Sequence, residues 1–161
     1  MSQPFILAID PGASGGLAYW GQFGVIALPM GKTEGDVLEQ IRMTPSAIPD
    51  FAMRVAVVEA VSGYAGQGQP GSAMFKFGRG FGFILGVLAA RGWRIELVRP
   101  QVWLKKLGLG TCGAMSKTQW KNKLKARAQQ LYPGVKVTLK TADALLLLEY
   151  ANLTRTPTNP S

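Results

Sequence analysis

A chain of 161 residues, 47% of them apolar, is long enough for one domain with a real core. It has no histidine and a single cysteine, Cys112, which excludes an intrachain disulfide, Ser-His and Cys-His catalysis and most zinc sites. Net charge is +9, from 18 Lys and Arg against 9 Asp and Glu; this points to a polyanionic partner, nucleic acid first, with plain solubility as the bland alternative.

The chain opens with two apolar strands, 5–10 and 15–20, joined by Pro-Gly-Ala-Ser, and a third strand over Gln22–Leu28 after a one-residue turn at Gly21. Tight turns between successive strands predict an antiparallel meander. Thr33–Met43 reads as a short helix, with Val37, Leu38 and Ile41 at helical spacing and the acids Glu34 and Asp36 in its first turn. Residues 43–50 hold two prolines and read as a loop. Arg54–Glu59 is apolar on both faces and predicts a central strand. Gly63–Ser72, rich in Gly and Gln, predicts a mobile loop.

Ser72–Arg91 predicts a long helix closed by Gly92. Gly78, Gly82 and Gly86 share one of its faces, each costing about 1 kcal/mol against Ala, which predicts close approach of another backbone, either a second helix or DNA. A fifth strand over Trp93–Val98 and a short helix over Pro100–Leu107 follow, then a flexible loop over Gly108–Ser116. Lys117–Tyr132 is amphipathic, and Lys140–Leu153 predicts the last helix. The expected organisation is one domain over 1–153 and a flexible tail over 154–161. Three antiparallel strands, a helix, then strand, helix, strand and helices is the element order of an RNase H-like fold. That is an α/β domain with a five-stranded mixed sheet and helices on both faces. The N-terminus lacks a charged n-region followed by an apolar h-region, and the apolar run at Ala144–Leu148 is too short for a membrane span. The expectation is a cytoplasmic protein of a prokaryotic or phage-infected cell, with no membrane partner.

Three of the nine acids do not read as solvated surface. Asp10 ends the first strand, Glu59 ends the fourth, and Asp143 shares an apolar face of the last helix with Leu146, Leu147 and Tyr150. Singly, each has an ordinary explanation: a turn cap for Asp10, an arginine partner for Glu59, the helix dipole for Asp143. Placed together at one sheet edge, they would repel unless cations intervene. Oxygen donors of this kind suit Mg²⁺, or Mn²⁺, and two such ions are a standard arrangement for hydrolysing a phosphodiester. Tyr64, with Phe75 and Phe77, could stack on bases, although core packing is the simpler role for the aromatics; Lys76, Arg79, Lys105, Lys106, Lys117 and Lys121 are candidate phosphate contacts.

Ile6-Leu7-Ala8-Ile9-Asp10-Pro11-Gly12-Ala13-Ser14-Gly15-Gly16 resembles the first motif of the RuvC-type Holliday junction resolvases, nearest to their small phage-encoded and chloroplast-like branch. Val57-Val58-Glu59, Gly66-Gln67-Gly68 and the run from Phe75 to Gly82 resemble the second motif, and Pro100–Leu109 and Thr141–Leu146 the later ones. The resemblance spans nearly the whole chain. It implies a magnesium-dependent homodimer that cuts opposed strands of a four-way DNA junction, with Asp10, Glu59 and Asp143 as metal ligands and Gln67 in the DNA-binding set. One position departs from the family and bears on the second metal site: where a fourth acid or a histidine is usual, three residues before Asp143, this chain has Lys140, a candidate contact for the scissile phosphate or a stand-in for part of the missing cation's charge, with an ordinary basic residue near a helix start as the alternative. Two other classes compete: a catalytically weak or inactive junction-binding protein of the same fold, and an ATP-binding domain of the actin and sugar-kinase type, for which the chain is short.

Overall fold

The computed structural model describes residues 4–44, 54–60 and 71–155. Its strands are β1 (Phe5–Asp10), β2 (Gly16–Gly21), β3 (Gly24–Pro29), β4 (Arg54–Glu59) and β5 (Arg94–Val98). Its helices are α1 (Glu34–Met43), α2 (Gly71–Ala90), α3 (Pro100–Lys106), α4 (Lys117–Leu131) and α5 (Ala142–Arg155). The strands form one sheet in the order β3-β2-β1-β4-β5. β1, β2 and β3 pair antiparallel, while β4 runs parallel to both β1 and β5.

Successive side chains of a strand point to opposite faces, and both faces of this sheet are covered. Ile6 and Ala8 of β1 with Val55 and Val57 of β4 pack into the core shared with α3, α4 and α5. Leu7 and Ile9 with Ala56 and Val58 pack into the other core, with Val37 and Ile41 of α1 and Ile84 and Leu88 of α2. This is why the two central strands read as unbroken apolar runs. α5 is the most enclosed helix: Ala142 to Leu148 and Ala151 are all buried, and it packs on β1, β2, β4, α3 and α4. Fully burying each leucine from Leu145 to Leu148 contributes about 1.5–3 kcal/mol.

Four sequence expectations are corrected. The β2–β3 turn holds two residues, Gln22 and Phe23, between the paired Gly21 and Gly24, because a two-residue hairpin matches the twist of the strands. Phe23, expected in a strand, stands at the tip, 95% exposed. The last helix starts at Ala142, two residues later than expected, after a turn in which the Thr138 carbonyl accepts from the Thr141 and Ala142 amides. It also runs on into the expected tail: Thr154 and Arg155 are helical, and Arg155 pairs with Glu96 of β5. The apolar stretch to weigh against a membrane span is α2, the one helix among the described residues long and apolar enough by length and composition to cross one. Here its C-terminal half lays Ile84 and Leu88 into the core, and its N-terminal half carries Lys76 and Arg79. Among the described residues, the Gly78, Gly82 and Gly86 face meets no other backbone, for a Cβ at any of the three would have no neighbour within 4 Å.

The 43–50 loop beyond Thr44, most of the Gly63–Ser72 loop and residues 156–161 lie outside the described residues, as do Tyr64 and Gln67.

Candidate metal centre

The parallel register Ile9↔Val58 makes Asp10 and Glu59 the next residues along two adjacent strands, at the same sheet edge. By alternation Asp10 follows Ile6 and Ala8, and Glu59 follows Val55 and Val57, so both acids belong to the face covered by α3, α4 and α5. Those helices supply the rest of the site. Asp143 stands buried in the first turn of α5. Trp103 of α3, 1% exposed, donates its indole N–H to Glu59 Oε2 at 2.9 Å. Lys121 of α4 donates from Nζ to Asp143 Oδ2. The other oxygen of that carboxylate, Oδ1, is buried without a hydrogen-bond partner.

The turn after β1 brings the backbone in close. The Gly15 amide donates to the Gly12 carbonyl at 3.0 Å. A Cβ at Gly15 would lie 2.0 Å from the Asp10 carbonyl oxygen, so only glycine fits. Gly12 has a φ of 105°, and Phe77 of α2 packs on it, its Cε2 2.9 Å from where a Cβ would be. The turn is thereby wedged between Asp10 and α2.

The electrostatics follow from burial and crowding. Burial pushes the Asp10 carboxyl up from 3.8 to about 8; Glu59 and Asp143 add to the rise and Lys121 opposes it. Glu59 is pushed up from 4.5 to about 7, chiefly by burial, with the Trp103 hydrogen bond pulling the other way. For Lys121, burial disfavours the ammonium, but Asp143, with Asp10 and Glu59 behind it, outweighs burial and raises its pKa above the ordinary lysine value.

The three acids therefore feel one another. With Asp143 held by Lys121 and Glu59 by Trp103, they do not form a group of three side chains poised to hold a metal ion, nor does any other such group occur among the described residues. The donor set nonetheless suits a hard cation. It is all oxygen, its charges are crowded, and Asp143 Oδ1 lacks a partner.

The remaining candidates scatter around this edge. Lys140 is exposed in the turn before α5, and its backbone carbonyl packs against Gly16, the residue paired with Asp10. Its side chain forms no ion pair among the described residues. Lys121, expected as a phosphate contact, is inside the site. Lys117 lies one turn before it on α4, and Lys105 and Lys106 end α3 just past Trp103; all three are exposed. Lys76 is exposed and lines a cleft of about 430 Å³ between α1 and α2 that reaches Gly12 and Ala13. Arg79 pairs with Glu34 across that cleft at 2.9 Å. Phe75 is 74% exposed, not packed in a core. One site residue, Trp103, had no assigned role from sequence, and Lys121 had a different one. Trp103 has a readable signal, a buried-type residue in a short helix following the β5 strand. The lysine at 121 has none that separates it from its neighbours on α4.

A mixed five-stranded sheet in this order, with helices on both faces and acids ending its two middle strands, is an RNase H-like fold. Comparison with solved structures finds the same fold in RuvC. The chain superposes on a Thermus thermophilus RuvC structure with a TM-score of 0.55 at 16% identity, over 94% of this chain and 97% of that one. It matches T. thermophilus RuvC in complex with a Holliday junction substrate with a TM-score of 0.56 at 15% identity, over 96% and 98%. No protein-family model and no curated protein matches the sequence.

Proposed function

We propose that this protein is a magnesium-dependent endonuclease that resolves four-way DNA junctions by paired, symmetric nicks. The observation that carries the reading is the meeting of Asp10, Glu59 and Asp143 at one sheet edge in a chain of net charge +9. The RuvC neighbour bound to a Holliday junction supports the choice of substrate.

Asp10, Glu59 and the free Oδ1 of Asp143 would hold the metal, which when bound activates water and stabilises the leaving oxygen of the phosphodiester. Asp10 and Glu59 must give up their protons to serve, so protons compete with the metal near neutral pH. Trp103 holds one Glu59 oxygen, and the other would serve the metal. Lys121 orients Asp143 in the same way. Lys105, Lys106 and Lys117 flank this edge and would hold the backbone of the branched DNA, with Lys76, Arg79 and Lys140 as further phosphate contacts. Two opposed cuts need two sites related by a two-fold axis, so the active form is a homodimer. The open Gly78, Gly82 and Gly86 face of α2 is its interface, since a stripe of small residues allows two helices to approach closely.

Asp10→Asn tests the assignment. It is expected to abolish cleavage of a synthetic four-way junction while leaving junction binding intact. Cleavage by the variant at the wild-type rate would overturn the metal reading. Junction binding by the wild type without metal-dependent cleavage would instead favour a non-catalytic binding protein.

A further inference from the structure

We propose that the cleft between α1 and α2 receives a single unpaired nucleotide of a DNA strand, its base over the apolar floor and its phosphate at the basic rim. The proposal rests on the reading of branched DNA as the partner, and not on the metal.

Three observations carry it. The first is shape. The cleft holds about 430 Å³, within the usual range for a small-molecule pocket. Its floor is apolar: Met30, Val37 and Ile84 belong to the core beneath, and the rings of Phe77 and Phe83 line it as well. Aromatic side chains take a base by stacking, whatever the base. Phe77 is 39% exposed, so part of its ring is open to a ligand among the described residues.

The second is charge. Lys32, Lys76 and Arg79 stand exposed around the cleft, against one acid, Glu34. An apolar peptide offers these cations no partner, whereas a nucleotide brings an apolar face and an anion together. Glu34 already shows where an anion sits, for its carboxylate accepts from Arg79 Nε at 2.9 Å. Both side chains of the pair are exposed, and such a pair holds weakly. A phosphate can therefore take the guanidinium from Glu34 and use more of its fork of donors.

The third is place. The cleft reaches Gly12 and Ala13. Gly12 is two residues beyond Asp10, so the two Cα atoms lie at most about 7 Å apart. A strand crossing the sheet edge at Asp10 can thus drop a neighbouring base to the α1 and α2 side of the sheet. A paired base is held in its stack, while an unpaired one leaves it at least cost.

Fluorescence anisotropy of the full chain in chelator tests this apart from cleavage. The probes are a labelled duplex with one unpaired thymine and the same duplex fully paired, at one salt concentration. The wild type is expected to bind the first about tenfold more tightly. Gly80→Phe fills the cleft, since Gly80 lines it and a Cβ there would meet nothing within 4 Å. It is expected to bring the two affinities within about twofold of each other while the paired duplex binds as before. Glu34→Gln, which frees Arg79, is expected to tighten binding of the unpaired probe alone. Should Gly80→Phe fold poorly, Ala73→Leu enters the same cleft from two turns earlier on α2. Equal affinity of the wild type for both probes, or a preference that survives filling of the cleft, would overturn the proposal. So would a change of oligomeric state in Gly80→Phe, which would make the cleft a contact between copies. Each of these results leaves the nuclease reading standing if the four-way junction is still bound and cut. Failure to bind the junction or either duplex would overturn both.

Discussion

Asp10 is an acid that the fold holds partly against its own charge. Its ordinary value is 3.8 and the folded chain moves it to about 8, while Glu59 moves from 4.5 to about 7. The folded protein therefore keeps protons that the unfolded chain has already released. The sign follows: these two groups favour folding below the ordinary carboxylate range, and that stability is lost as pH rises through their folded values. In chelator, the melting temperature is expected to fall between about pH 5 and about pH 8, and Asp10→Asn to flatten much of the slope. A melting temperature that rises over this range in both proteins would contradict the burial of these acids. At this scale the sequence was partly readable. Asp10, Glu59 and Asp143 stood out because each interrupts an apolar pattern. Lys121 did not, because Lys117, Lys121, Lys123 and Lys125 share one basic helix, and its periodicity does not say which lysine meets an acid from another element. That meeting depends on how α4 packs on α5, where Tyr132 also donates its hydroxyl to Glu149 at 2.9 Å.

Among the elements, the β1–β2 turn does the most for the site. It is wedged by Phe77, whose ring fills the space where Gly12 has no side chain. Gly12→Ala would meet that ring at 2.9 Å and also adopt a φ of 105°, which a Cβ disfavours. The expected cost is about 1–3 kcal/mol, measured as a lower urea midpoint with an unchanged slope. A variant as stable as the wild type would show that the wedge gives way freely. The strands were legible because their alternation and apolar runs are local properties. α5 was legible as a helix, but not as the helix enclosed on all sides, since its surroundings come from β1, β2, β4, α3 and α4 together. The Gln22-Phe23 turn was missed because an aromatic residue favours a strand, and here hairpin geometry overrides that preference.

For the whole molecule, the order of elements was enough to expect a mixed five-stranded sheet with an antiparallel meander and a parallel pair, because tight turns force antiparallel neighbours and crossovers allow parallel ones, while the pairing of β4 with β1 comes from the structure. What the chain does with its surfaces was less legible. Among the described residues a Cβ on the glycine face of α2 would meet nothing within 4 Å, and the proposed dimer would use this face. Gly82→Leu is expected to shift the protein from dimer to monomer in sedimentation, and a dimer of unchanged stability would place the interface elsewhere. The central claim is that three acids at the ends of β1, β4 and the start of α5 make a metal-dependent nuclease for branched DNA. The most direct measurement is cleavage of end-labelled four-way junction, fork and linear duplex with and without Mg²⁺. Symmetric nicks in the junction, lost on removing Mg²⁺ and absent from linear duplex, are the expected result. No cleavage of any substrate with Mg²⁺ or Mn²⁺ present, or cleavage that persists in chelator, would contradict it.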